Sequence, residues 1–331
     1  MNEFELIRRL TRSLPANASV VTGAGDDCAV LDLGVPDSLV LFKTDAVVEG
    51  IHFRRDTPPE KIGRKALARA LSDVAAMAGT PTAALVTVGL PTGFDPESVA
   101  RLYAGLNELA TQYQVAVVGG ETTNNPERLL VSISLVGLVP RGRLILRRGA
   151  RVGDAIFVTG ELGGSLAGRH LDFEPRLAEA RWLAEHFAIH AMLDLSDGLA
   201  GDLRHLLEAG RVGAELSTSA LPISRAAKAR ARAREGAEPA ADGGRGSPPA
   251  SHGRALPPKP AALAALTDGE DFELLFTVAS RDAVKLLDAW RKQFPQLKLS
   301  CVGKIVAGEG ILLRDKLGAK PLQLHGYVHF A

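Results

Sequence analysis

The stretch LDLSDGL, residues 193 to 199, sets Asp194 and Asp197 three positions apart beside an apolar run. Two carboxylates so placed repel each other unless a cation sits with them. Further acids recur at the margins of apolar runs. GAGDDCAV brings Asp26 and Asp27, and LFKTDAVVEGIHF brings Thr44, Asp45, Glu49 and His52. LSDVAAM brings Asp73, VVGGETT brings Glu121, and TDGEDFELLF brings Asp268, Glu270, Asp271 and Glu273. In open α/β sheets such strand ends are where ligands bind. Taken singly, each acid has a plain structural reading. Ser72 and Ser196 can be helix N-caps, with Asp73 and Asp197 just inside and favoured by the helix dipole, and GDD can be a simple turn. Taken together they mean more, because each carboxylate pair about 4 Å apart costs roughly 4 kcal/mol at an effective dielectric near 20. A fold that gathers several such acids implies a cation. Oxygen donors including a threonine hydroxyl, with no Cys or His pair nearby, favour Mg²⁺ over zinc. Several Mg²⁺ ions among several carboxylates suit a polyphosphate substrate.

The usual nucleotide signatures are missing. Gly303-Lys304, the one Gly-Lys pair, lacks the upstream glycine of a P-loop, and the protein-kinase catalytic loop is absent. TGELGGSLAG is glycine-rich, but its spacing fits neither fingerprint, and tight packing beside a strand explains it as well as phosphate binding does. ATP, if used, must be held through metals and a few basic groups.

The elements that would position these residues alternate along the chain. LVLFKTDAVV and TAALVTVGLP read as strands flanking EKIGRKALARALSDVAAMAG, which has the helical period and ends at Gly79. PESVARLYAGLNELATQYQ reads as a second helix capped by Asp95 with Pro96 in its first turn, followed by strands VAVVGG and RLLVSISLVGLVP. A turn near 148 separates residues 1–148 from 149–331. The second part repeats the alternation through AIFVTG, PRLAEARWLAEH, AMLDL, GLAGDLRHLLEAG, FELLFTVA, RDAVKLLDAWRKQF and LSCVGKIV. The fold class expected is α/β, as two domains of sheet-and-helix layers.

At 331 residues the chain is long enough for both. Aromatic residues make up only 5%, so Ala, Val, Leu and Ile must build the cores. Net charge is +1, yet the segment from Arg225 to Pro260 carries eight Lys/Arg against three Asp/Glu. The rest is therefore slightly acidic, which argues against a nucleic-acid partner. That segment begins with a helix-compatible run and continues dense in Pro, Gly and Ser, so 225–260 reads as a disordered insertion. MNEFELIRRLTRSL has an amphipathic rhythm without a signal-peptide pattern, and no run of about 18 apolar residues predicts a membrane span. Cys28 and Cys301 have no metal-ligand spacing and read as reduced, half-buried thiols. A cytoplasmic location is expected.

In order, GDDCAV, KTDAVVEGIHF, KALARALSDVAAM, GGETT, RRGARVGD, VTGELGGSLAG, LDLSDGL, GEDFELLF and the terminal GYVHF closely resemble the thiamine-monophosphate kinase family, within the aminoimidazole-ribonucleotide synthetase superfamily. The likeness spans nearly the whole chain and breaks at the 225–260 insertion. VEGIHF and GYVHF point to the kinase more sharply than SDGL, which relatives share. The resemblance implies a homodimer whose N-terminal sheets pair into a shared barrel, with ATP between the two domains. It implies phosphoryl transfer from ATP to thiamine monophosphate. By position it makes Asp27, Thr44, Asp45, Asp73, Glu121, Asp194 and Asp197 metal ligands. Gly120, Glu121, Arg147 and Ser196 would contact ATP, and His52, Glu270 and Tyr327 would line the substrate site. Other readings remain for three of these: His52 as a core imidazole, Tyr327 as a seal for the C-terminal segment, and Arg148 in place of Arg147.

Two positions depart from the family pattern. Glu121 stands where GGDTT is usual, and Lys43 stands where a small hydroxyl residue is common and would displace an outer metal. Two rival functions follow: another ATP-using enzyme of the superfamily with a different acceptor, and a non-catalytic nucleotide-binding subunit.

Overall fold

The computed structural model describes residues 3–235 and 259–323. After helix α1 (Glu3–Thr11), strands β1 (Val20–Thr22), β2 (Ala29–Leu31) and β3 (Ser38–Val48) lead into helix α2 (Pro59–Ala76). β4 (Thr80–Leu90), helix α3 (Pro96–Gln112), β5 (Ala116–Asn124) and β6 (Leu130–Pro140) complete a six-stranded sheet of order β1-β2-β3-β6-β4-β5. Only β4 and β5 pair in parallel. Asp95 caps α3 through the backbone N–H groups of Glu97 and Ser98, as its sequence demands. α2 and α3 cross closely: a Cβ on Gly63 would lie 1.9 Å from the Leu102 carbonyl oxygen, and one on Gly105 would lie 2.0 Å from that of Glu60. On β6, Val131, Ile133, Leu135 and Val139 are buried on the helix side, while the alternate residues are only half-buried. One sheet face is thus covered by helices and the other stands open, with Phe42, Leu85 and Val118 exposed along this sheet.

The second domain holds β7 (Asp154–Thr159), α4 (Leu177–His186), β8 (Ile189–Asp194), α5 (Leu199–Gly210), β9 (Gly213–Ser217), α6 (Arg225–Glu235), α7 (Ala261–Thr267), β10 (Leu274–Ala279), α8 (Ala283–Gln293), β11 (Leu299–Val306), β12 (Ile311–Asp315) and β13 (Gly318–Pro321). Its seven strands run in the order β13-β12-β9-β11-β7-β10-β8, antiparallel except for β9 with β12. Helices cover both faces. Trp290 of α8 and Leu183 of α4 join Phe157 and Phe276 in a core continuous with that of the first domain. A second core on the other face gathers Ile156, Val158 and Leu193 with Leu203 of α5 and Leu266 of α7. No helix among the described residues is long and apolar enough to cross a membrane.

Five expectations change. Asp73 sits inside α2, whose N-cap position is Pro58, so Ser72 is no cap. Gly198, not Ser196, occupies the N-cap position of α5. Asp45 and Glu121 lie within long strands and not at their ends; Asp45 is followed, two residues on, by the buried core residue Val47, and Glu121 stands in an exposed edge strand. The first part of the proposed insertion is an ordered helix, because Ala227 is fully buried and Arg230 pairs with Asp268 at 2.9 Å. Residues 236–258 and Tyr327, with its GYVHF motif, lie outside the described residues. Both cysteines are free thiols, Cys28 buried and Cys301 exposed, so neither is the half-buried group expected.

Candidate active site

Helix α2 supplies one wall of the junction between the domains. Lys65, Arg69, Ser72 and Asp73 are spaced i, i+4, i+7 and i+8, which places them on one helical face. Across from it, Lys43 and Asp45 of β3 share the strand side that carries Leu41, since alternate strand residues point the same way. The end of β8 and the turn before β2 bring Asp194 and Asp27 to the same place.

Asp27, Asp73 and Asp194 are all buried, and each offers a carboxylate oxygen within 4.8 Å of the others. Asp26 adjoins them. Against these acids the structure sets two cations. Arg147 donates to Asp27 Oδ1 at 2.6 Å from Nη2 and 3.2 Å from Nε, while its backbone N–H donates to Asp26. Lys43 Nζ lies 3.0 Å from Asp73 Oδ1. Ser72 Oγ donates to Asp194 Oδ2 at 2.6 Å. Negative charge still outweighs positive here. Burial, with the charge of Asp27 added, pushes both Asp26 and Asp194 up to about 6, and burial raises Asp73 well above the ordinary carboxylate range. Asp27 Oδ2 is buried and has no hydrogen-bond partner. An orphaned carboxylate oxygen inside an acidic cluster is costly unless a cation meets it.

A second cluster lies farther along α2. Lys65 is fully buried and donates to the Glu270 carboxylate and to the His52 carbonyl. Arg69 holds Asp45 through Nε at 2.9 Å, reaches Glu270 at 3.3 Å, and lies 5.8 Å from the Phe272 ring centroid. Burial alone would raise Asp45 and Glu270, but Arg69 and Lys43 outweigh it at Asp45, and Lys65 and Arg69 at Glu270, holding both below the usual range. Glu270 and Phe272 both take left-handed backbone (φ 55° and 49°). Such a conformation is uncommon for non-glycine residues and clusters at functional sites. The Val48 N–H donates to His52 Nδ1 at 3.0 Å, which leaves the ring proton on Nε2. Burial, reinforced by Arg69, drops this imidazole to about 3, so His52 is a neutral hydrogen-bond donor.

Of the remaining candidates, Thr44 and Glu121 lie on the open sheet face, while Ser196 and Asp197 follow within three residues of Asp194. Thr44 points away from Asp45 onto the open sheet face, where Ser134 Oγ reaches its hydroxyl at 3.4 Å. Glu121 pairs in register with Thr87, which pairs with Ser132, and so shares that open face from the far edge strand. Three strand spacings, about 14 Å, separate it from Thr44. Gly120 shapes its approach: at φ 157° its Cα lies so near β4 that a Cβ would sit 1.8 Å from the Val86 carbonyl oxygen. Ser196 is half-buried and accepts the Glu270 N–H on its carbonyl at 2.6 Å. Asp197 is half-buried, and its N–H donates to Asp202 at 3.0 Å. Of the two adjoining arginines, Arg147 enters the acidic cluster and Arg148 is exposed.

Sequence reasoning passed over Lys65, Arg69 and Asp202. The signal for the first two was present: counting back four and eight from Asp73 lands on both. Asp202 lies one helical turn beyond Gly198, buried, with burial and the charge of Asp197 raising it well above its ordinary value.

Two sheets with a carboxylate cluster at their junction define the class, and the N-terminal domain of AIR synthase related proteins matches residues 25–139. The thiamine-monophosphate kinase of Rhodopirellula baltica is 39% identical over 93% of this chain and 90% of its own length. That of Escherichia coli K12 is 32% identical over 99% and 98%. Among solved structures, AaThiL complexed with AMPPCP and TMP has a TM-score of 0.77 at 29% identity, covering 99% of this chain and 97% of that one. The chain belongs to the thiamine-monophosphate kinase family, a family of enzymes.

Proposed function

We propose that the chain transfers the terminal phosphoryl group of ATP directly to thiamine monophosphate, giving thiamine diphosphate and ADP, at the Asp27–Asp73–Asp194 cluster. The carrying observation is the excess of buried carboxylates with an orphaned oxygen on Asp27. The donor set fits Mg²⁺: all oxygen, with one oxygen of each carboxylate within 4.8 Å of the others, near enough to converge on ions that take oxygen ligands at about 2.0–2.1 Å. Asp27, Asp73 and Asp194 would hold ions, with Asp45 and Asp197 beside them. When bound, Mg²⁺ neutralises charge on the phosphates and lets two anions approach in line.

The chain's own residues do the rest. The acceptor is a phosphate already ionised near neutral pH, so no strong general base is needed. Arg147, anchored by Asp27, presents its remaining N–H groups toward ATP, with Ser196 and Gly120 as further contacts. His52 offers its Nε2–H to the acceptor. Glu270, kept ionised by Lys65 and Arg69, faces the cationic thiazolium, and Tyr327, outside the described residues, would offer its ring to the same cation. The homodimer is part of the reading. A second copy covering the open sheet would bury Phe42 and Leu85 and bring Glu121 and Thr44 into a shared interface.

The test is product formation. The purified chain with ATP, Mg²⁺ and thiamine monophosphate should yield ADP and thiamine diphosphate in equal amounts. Equal ADP release with unrelated phosphate acceptors, or none with this one, overturns the assignment.

A further inference from the structure

We propose that Lys43 is a resident cation of the acidic cluster, its ammonium occupying a place that a further divalent ion would otherwise take. The inference rests on reading the cluster as a Mg²⁺ site. Lys43 leaves β3 on the side facing α2, and its Nζ stands 3.0 Å from Asp73 Oδ1. Its side chain is only 23% exposed, so the charge works where water screens it little. Asp73 itself lies with Asp27 and Asp194 in the group whose oxygens sit within 4.8 Å of one another. Among the described residues, the cations ion-paired to this group are Arg147, on Asp27, and Lys43, on Asp73. The two differ in kind. The Arg147 guanidinium forks onto Asp27 with two N–H groups and also contributes its backbone N–H to Asp26. The Lys43 ammonium is a compact point charge set against a carboxylate oxygen, a closer mimic of a metal ion.

The role predicts two behaviours that an ordinary surface ion pair would not produce, since exposed pairs contribute little. First, the metal-free cluster needs Lys43. Without its charge, Asp73, Asp27 and Asp194 face each other with Arg147 alone. Second, a cluster that already holds a fixed cation takes up fewer divalent ions. A short hydroxyl side chain at 43 would open the ammonium's place and supply an oxygen donor to it.

The experiment compares the wild-type chain with Lys43→Met and Lys43→Ser. Bound Mn²⁺ is counted by electron paramagnetic resonance in the presence of saturating AMPPCP, and melting is followed in EDTA. Lys43→Ser should bind one Mn²⁺ more per chain than wild type. Lys43→Met, which keeps the stem without the charge, should melt several degrees lower in EDTA, and the loss should vanish in the Asp73→Asn background. Equal, non-zero Mn²⁺ counts in wild type and Lys43→Ser overturn the proposal while leaving the metal reading of the cluster intact. No Mn²⁺ in any of the three overturns both. Unchanged melting of Lys43→Met in EDTA overturns the resident-cation role by itself.

Discussion

Two charged clusters lie along one face of α2, and they are built on opposite principles. Around Lys65 and Arg69, two cations meet two carboxylates, Asp45 and Glu270, and the polar atoms satisfy one another across the domain junction. One turn later, Asp26, Asp27, Asp73 and Asp194 face only Arg147 and Lys43, and an oxygen of Asp27 is left over. The first arrangement is a finished ion-pair network. The second holds more acids than cations, and burial, with the repulsion of neighbouring acids added, raises the pKa of Asp26, Asp73 and Asp194. The difference lies in charge balance along a single helix: the cations of the first cluster hold their carboxylates ionised and fixed across the domain junction, and the second, on the function proposed above, waits for cations that arrive with a ligand.

Neutralising an acid in the unbalanced cluster should have the largest effect, and in opposite senses for activity and stability. Asp194→Asn keeps an oxygen to accept the Ser72 hydroxyl but removes a charge. Its kcat should fall by roughly three orders of magnitude, about 4 kcal/mol of barrier. In EDTA at pH 7.5 it should melt above wild type. The sign follows from linkage. Asp194 has a folded pKa of about 6 against an ordinary 3.8, so the folded state binds the extra proton between these values, and stability falls as pH rises through that window. The advantage of Asp194→Asn should therefore be full at pH 7.5, reduced to a minor part at pH 4.5, and gone only below the ordinary value of 3.8. His52 drives stability the other way, since its depressed pKa makes folding less favourable below about 6.5. It is present in both proteins and cancels in the comparison. A melting difference that ignores pH would remove Asp194 from the set of repelling acids.

The balanced cluster should respond in reverse. Lys65→Met leaves the Glu270 carboxylate with Arg69 alone and the His52 carbonyl without its donor. Removing one partner of a buried pair costs about 3–5 kcal/mol, to be read from denaturant unfolding with and without Mg²⁺. The loss should persist in Mg²⁺ and should shrink when Glu270→Gln is added. If Mg²⁺ with AMPPCP restores Lys65→Met to wild-type stability, the two clusters are not distinct in kind.

How much of this was legible in the sequence depends on the range of the interaction that decides each feature. Periodicity located β3, α2, β4, α3 and β6, because their apolar faces repeat over many residues, and the Asp95-Pro96 pair marked the start of α3 through local chemistry alone. The short strands β1, β2, β9, β12 and β13 carry too few residues for a pattern and owe their existence to neighbours in the sheet. The carboxylates were recognisable as a set. Their division was not, because whether Asp45 meets Arg69 or a metal depends on how α2 is rotated against β3. Likewise nothing local tells Thr44 that its strand neighbours face α2 while it faces the open side.

Glu121 tests that open side, with a smaller expected effect. It lies across the sheet from the cluster, so a role in metal binding would require a second copy of the chain. Mg²⁺ demands near-ideal geometry at about 2.0–2.1 Å, and the longer arm is accommodated by the exposed edge strand on which it sits. Glu121→Asp should stay within roughly tenfold of wild type, about 1.4 kcal/mol, and Glu121→Ala should lose more and need more Mg²⁺. An alanine variant equal to wild type in rate and in Mg²⁺ midpoint would make Glu121 a plain surface residue.

The smallest effect is expected between α6 and α7, and the structure moves the cut that tests it. A deletion beginning at 228 would remove Arg230, which shares the Asp268 carboxylate with Lys259 at 2.9 and 2.8 Å. Asp268 in turn accepts the Gly164 N–H at 3.0 Å, tying this corner to the glycine-rich turn. Such a deletion would disturb the fold for reasons unrelated to the insertion. Replacing only residues 236–258 with a short Gly/Ser linker leaves those contacts in place. The sequence of this stretch predicts a disordered connection, and closing such a connection costs only about 0.6 kcal/mol for each doubling of its length, so shortening it should raise stability slightly and leave kcat and KM unchanged. A fall in kcat/KM beyond about tenfold, with melting preserved, would show that this stretch acts on the substrates.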